Sequence, residues 1–233
     1  MPPRFVRVPV PTTRLTALPT LVGLNLAVFG LWWICALLGD DAQAWAQANL
    51  VVSAEAVAHG RVWTLLTSAF SHYDPLHLLF NLYALGLFGS DVERVVGSRG
   101  FWHLYLAGGI ASSLGHLAYG FLAGTTVGAL GASGSVMAVA VVSALLFPNR
   151  LLLLFFFIPL PQIAAVGLFV LLDVIGALTP GDDILAHGAH LGGALYGWIW
   201  FRRHAQGYIL ERLEALGLRP RWSRWGSWTH PPA

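Results

Sequence analysis

The sequence predicts an all-α, polytopic membrane protein, and three observations carry that prediction. Its 233 residues are 56% hydrophobic and only 10% charged, with a mean hydropathy of +0.66. Soluble domains carry roughly 25% charged residues, so too few polar groups remain to cover a soluble core of this greasiness. Long apolar runs recur between short polar or glycine-rich stretches. Arginine is spread unevenly over alternate connections, the asymmetry that orients membrane proteins.

Six spans are expected, at about Ala17–Gly39, Pro75–Gly89, Phe101–Ala123, Ser133–Phe147, Leu151–Leu178 and Ala186–Phe201. A straight span needs roughly 20 residues, so the second, fourth and sixth end below the membrane surface. Residues 1–16 form an N-terminal arm, 17–201 the membrane domain and 202–233 a basic, Trp-rich tail. The thirteen basic residues are all arginine; with six spans, Arg61 lies alone on one side and the rest on the other. Both termini are therefore expected in the cytoplasm. The first run is too long for a cleavable signal peptide. Two terminal arms and no seventh helix point to a plasma (inner) membrane; a eukaryotic organelle stays open as the alternative, although no transit peptide is evident. The lone Cys35 excludes an intramolecular disulfide.

The outer loop from Asp40 to Asp74 carries Trp45 and Trp63 and is expected to lie partly in the interface. The tail alternates Arg221, Trp222, Arg224 and Trp225, a pattern that suits anionic lipid better than nucleic acid. Pro159 and Pro161 kink or break the fifth span.

Polar side chains within spans are costly and mark function. His77 and Asn81 lie four apart, on one helical face. Taken alone they suit interhelical packing. Gly131-Ala132-Ser133-Gly134 opens the fourth span after a glycine-rich turn, so unpaired backbone N–H groups surround Ser133. That is an oxyanion site for acyl transfer. His187 and His190 lie three apart, followed by Gly193 and Gly197, a GxxxG spacing that lets the fourth helix approach closely. Such packing brings His190 towards Ser133, as base to nucleophile. His77, Asn81, Ser133 and His190 share one depth, in the outer part of three helices.

With these residues in hand, the chain resembles the rhomboid family of intramembrane serine proteases. The resemblance runs from about Trp63 to Trp198 and includes Phe70-Ser71-His72, His77 with Asn81, Glu93, Gly131-Ala132-Ser133-Gly134 and Ala189-His190-Leu191-Gly192-Gly193. It implies a six-helix bundle in which Ser133 is the nucleophile and His190 the base, a dyad with no carboxylate. It implies that His77, Asn81 and the Ser133 N–H serve the oxyanion, with Gly131 part of the substrate-binding turn. The implied substrate is a transmembrane segment of another protein, cut near its outer end. The implied water route is a cavity open to the outside and gated by the fifth helix. No cofactor and no metal are implied; the partners are membrane helices and the bilayer. Two residues depart from the pattern: Met137 stands where many relatives carry an aromatic ring, and Trp63 is followed by Thr64 rather than arginine. Glu93, in a cytoplasmic loop, ties loop and helix ends together. Asp173 is expected as a water-exposed carboxylate near the mouth, in preference to a partner for His187.

Three rivals compete. A metal site built on His72, His77, His187 and His190 lacks an HExxH motif and a carboxylate base. A non-proteolytic rhomboid-like protein that binds membrane helices would dispense with Ser133 or His190, and both are present. A transport or structural protein using His and Asn only as packing glue does not explain their shared depth.

Overall fold

The computed structural model describes residues 15–125, 127–154, 158–179, 184–204, 207 and 209–215. The arm before residue 15 and the Arg/Trp tail beyond residue 215 lie outside the described residues.

Helix α1 (Ala17–Leu38) is the first apolar run. Its exposed N-terminal amides are met by a carboxylate from elsewhere in the chain. Glu93, 2% exposed, accepts from the N–H groups of Thr16, Ala17 and Leu18, each at 2.9 Å. A carboxylate at a helix N-terminus satisfies orphan donors and complements the dipole. The expected tie is therefore present, but Glu93 sits on a helix rather than in a loop.

The outer segment folds into α2 (Asp40–Leu50), α3 (Ala54–Ala58), α4 (Thr64–Thr67) and a 3₁₀ turn at Ser68–Phe70. Trp63 Nε1 donates to Asn49 Oδ1 at 3.1 Å and Thr67 Oγ1 donates to the Asn49 carbonyl at 2.5 Å. Trp32 of α1 donates to Ser71 Oγ at 2.6 Å. These bonds fasten the segment without an arginine beside Trp63.

Helix α5 (Pro75–Ala123) joins the second and third expected spans. Asp74 accepts from the His77 N–H at 2.7 Å, and Pro75 opens the helix at a position that needs no donor. The helix breaks at Gly97, whose φ of 68° and ψ of 163° suit glycine. The two arms then press together: a Cβ on Gly89 would lie 2.8 Å from the Phe101 ring. Helix α6 (Ser133–Leu146) is the fourth run.

The fifth run departs from expectation. Leu151–Leu154 (β1) and Ile158–Pro161 (β2) pair antiparallel, and only Gln162–Leu178 is helical, as α7. The chain is thus mostly helical, with one short hairpin interrupting the fifth run. Pro159 and Pro161 supply no donors and push the residues before them into extended conformations, which rules out a helix there. Helix α8 (Ile184–His204) follows, and the short α9 (Leu210–Ala215) closes the described chain. Leu213 of α9 is buried in the core, and Arg212 Nε donates to the Val95 carbonyl at 3.1 Å.

Among the described residues, two helices are long and apolar enough to cross a bilayer, Ala17–Leu38 and Pro75–Ala123. α6 and α7 are apolar but shorter. The six-span count is thus not established by helix length. The core lies where α5, α6 and α8 meet, with α1 against α5 and α7 at the edge on α6 and α8. Trp33, Leu37, Phe80, Tyr83, Leu171, Ile175 and Leu178 point outward. An exposed apolar surface of this extent marks contact with lipid or protein.

The α8 contacts explain the bundle's tightness. A Cβ on Gly193 would lie 2.0 Å from the Gly134 carbonyl oxygen, and one on Gly197 2.5 Å from that of Ala138. The expected GxxxG face therefore packs on α6. Gly188 and Gly192 meet α5 equally closely, at Tyr119 and Ala111. Small residues let backbones approach where side chains would hold them apart.

Candidate active site

The turn before α6 is shaped by close approach. Gly131 has φ +130°, and a Cβ there would lie 2.7 Å from His77 Cε1. Its N–H donates to the Ser68 carbonyl at 2.9 Å, so it is committed to the scaffold rather than to an oxyanion. The preceding strand-like stretch is pinned to the outer segment, where Val52 and Ala129 exchange backbone hydrogen bonds of 2.9 and 2.8 Å. The next amide, Ala132, donates to His72 Nε2 at 3.2 Å. His72 is fully buried, and burial, reinforced by His77 5.0 Å away ring to ring, lowers its pKa to about 4. It is therefore neutral at physiological pH and can accept the Ala132 N–H.

Ser133 is then the first residue of α6, where backbone N–H groups have no carbonyl one turn back. Its Oγ lies 2.9 Å from His190 Nε2. His190 Nδ1 lies 3.0 and 3.2 Å from the two carboxylate oxygens of Asp173. His187 Nδ1 shares Asp173 Oδ1 at 2.8 Å. With its proton on Nδ1, donated to Asp173, His190 presents Nε2 as an acceptor for the Ser133 hydroxyl. The arrangement can take a proton from an attacking serine, which is the logic of serine hydrolases on many folds.

A cavity of about 460 Å³ opens in front of Ser133, lined by Tyr73, His77, Ser112, His116, Leu130, Gly131, Ala189 and His190 among others. Ser133, His190, His77 and Gly131 thus converge. Asn81 does not line the cavity; it is buried and its Nδ2 donates to the His77 carbonyl at 2.9 Å. Asp173 is not the water-exposed carboxylate expected at the mouth. Its side chain is 11% exposed and bonded to both histidines. A single carboxylate in a helix that is apolar beyond Gln162 needs a partner, and that signal, read with His187 and His190 on one face of α8, could have found it. The position of His72 beneath the turn had no comparable sequence signal.

Comparison with known proteins gives the family. The Rhomboid domain matches residues 59–204. The chain belongs to the rhomboid family. RHOMBOID-like protein 12, mitochondrial, of Arabidopsis thaliana is 33% identical over 201 residues, covering 80% of this chain and 58% of that protein. Rhomboid protein 1, mitochondrial, of Saccharomyces cerevisiae is 35% identical over 204 residues, covering 84% and 56%. Presenilin-associated rhomboid-like protein A, mitochondrial, of Danio rerio is 30% identical over 203 residues, covering 84% and 49%. This rhomboid spans about half the length of the curated relatives it matches.

These relatives overturn the expected plasma-membrane location, since they are mitochondrial proteins rather than bacterial plasma-membrane ones. The physical reason is that arginine asymmetry orients a protein across a bilayer without saying which bilayer.

Proposed function

We propose that this rhomboid is an intramembrane serine endopeptidase that cleaves a transmembrane segment of another membrane protein near its outer end. The observation that carries this reading is the 2.9 Å contact of Ser133 Oγ with His190 Nε2, inside a cavity at the start of α6. The rhomboid family, typically of intramembrane serine proteases, supports it.

Ser133 Oγ attacks the scissile carbonyl carbon while its proton passes to His190 Nε2. The carbonyl π pair moves onto oxygen, beside the Ser133 N–H and the His77 imidazole. Asn81 braces that edge through the His77 carbonyl. Asp173 holds the Nδ1–H of His190 and faces the imidazolium, so the dyad becomes a relay with a carboxylate. Collapse breaks the C–N bond, and His190 returns the proton to the leaving amine. Water, activated by His190, then attacks the ester and frees Ser133. The apolar outer surface of the bundle suits a helical, lipid-embedded substrate, which must unwind locally for its carbonyl to enter the cavity.

The test is cleavage of a model transmembrane substrate by purified protein in liposomes. Wild type cuts near the outer end of the helix, Ser133→Ala and His190→Ala do not, and a chelator has no effect. Asp173→Asn lowers kcat by roughly 10²- to 10⁴-fold. Equal cutting by Ser133→Ala overturns the assignment. An inactive wild type that still binds the helix favours the non-proteolytic alternative, with Met137 the first residue to replace by an aromatic.

A further inference from the structure

Asp173 sits on α7, at the edge of the bundle against α6 and α8. Its own helix buries Gln162, Ala165 and Val166 at one end, and Asp173 stands apart from them. Its neighbours Leu172, Val174 and Ile175 are 52%, 38% and 50% exposed, so little apolar packing immobilises the backbone around the carboxylate. A carboxylate on such a helix is free to turn about its Cβ–Cγ bond unless other groups hold it.

His187 holds it. Its Nδ1–H reaches Asp173 Oδ1 at 2.8 Å, the same oxygen that His190 approaches at 3.0 Å. The ring is itself seated: a Cβ on Gly176, three residues on from Asp173, would lie 2.2 Å from His187 Nε2 and 2.4 Å from Cε1. The imidazole therefore lies directly on the α7 backbone, in a space that any side chain at position 176 would fill. Tyr119 OH donates to the neighbouring Ala177 carbonyl at 2.8 Å and fixes the same stretch from α5. His187 is not among the residues that line the cavity, whereas His190 is.

We infer that His187 is a positioning residue, which clamps the Asp173 carboxylate so that it stays aimed at His190 Nδ1 through the reaction. The inference rests on the endopeptidase reading and adds a second histidine to its relay. His187 touches neither substrate nor the reacting atoms; it works through Asp173. Its N–H, rather than its bulk, does the work. An asparagine places an amide N–H near the position of Nδ1, while a phenylalanine keeps the ring and loses the donor.

The test measures kcat and KM for a transmembrane substrate with wild type, His187→Asn and His187→Phe, with Ser133→Ala as the blank. Thermal midpoints establish that each variant is folded, and His187→Leu replaces the phenylalanine variant if that one is not. The phenylalanine variant is expected to lose about ten-fold in kcat with KM within about two-fold, and the asparagine variant to recover most of it. That loss is small beside the roughly 10⁴-fold that follows when a serine protease loses its triad carboxylate. Full activity of His187→Phe overturns the role, as does equal impairment of both variants, which would mean packing alone. A change confined to KM also overturns it, since that would place His187 against substrate. If wild type itself does not cleave, the endopeptidase reading falls and this role with it; if wild type cleaves and His187→Phe matches it, this role alone falls.

Discussion

His72 shows how a single buried ring can support the turn that carries Ser133 without touching that serine. It accepts the N–H of Ala132, the residue before Ser133, and must be neutral to do so. In the unfolded chain it gains a proton as pH falls through 6.5, whereas in the folded protein it resists protonation until about 4. The unfolded state therefore binds more protons in that window, and stability drops as pH falls from 6.5 towards 4. The full effect is about 3 kcal/mol, present above the window and lost below it. His72→Gln keeps an acceptor and removes the titration. Thermal midpoints measured against pH in detergent should fall less steeply for the variant than for wild type below pH 6.5. Parallel curves would show that His72 is not the group responsible. At this scale residue type and position pointed to Ser133, His190, His77 and Gly131 as neighbours, and all four line one cavity. The Asp173–His187 contact was open in the sequence only as the less favoured alternative, and the His72 contact had no signal, because both join distant segments.

Among the elements, α8 does the most to assemble the site. It brings His190 to Ser133 only because Gly193 and Gly197 let it lie against α6. Gly193→Ala places a Cβ 2.0 Å from the Gly134 carbonyl oxygen, and neither backbone can yield without moving the other. The variant is expected to lose roughly 1–3 kcal/mol of stability. On the proposed endopeptidase mechanism, a displacement of about 1 Å between His190 and Ser133 costs on the order of 10²-fold in rate. Gly167→Ala is the control, since a Cβ there meets nothing within 4 Å, and it should lower neither property, its helix propensity adding at most about 1 kcal/mol of stability. Comparable midpoints and rates for the two variants would refute the close-packing account. The GxxxG spacing announced this contact in the sequence. The β1–β2 pairing was announced only as a break: two prolines forbid a helix, but they do not say what the freed residues pair with.

Across the whole molecule, the Glu93 cap at the start of α1 and the Ser133 cavity mark opposite ends of the bundle. Asp91 joins Arg94 and Arg150 at the Glu93 end, and the outer segment with Trp45 lies at the other. In a Cys35→Ser background, cysteines at Arg99 and Trp45, both exposed positions, should react with a membrane-impermeant maleimide from opposite faces of sealed vesicles. Labelling of both from one face would contradict this orientation.

Composition and periodicity alone determined that the chain is a helical membrane protein, and the spacing of a few polar residues and glycines determined its family. Both are local properties, written in the order of side chains along one helix or turn. The tertiary structure decided that Asp173 completes the Ser133–His190 pair. It also decided that Asn81 braces rather than lines the cavity, and that Gly131 gives its N–H to Ser68. The Asp173 contact depends on α7 packing against α8, and the Gly131 contact on the outer segment meeting the turn before α6. Asn81 bonds within its own helix, and only the packing keeps it out of the cavity lining.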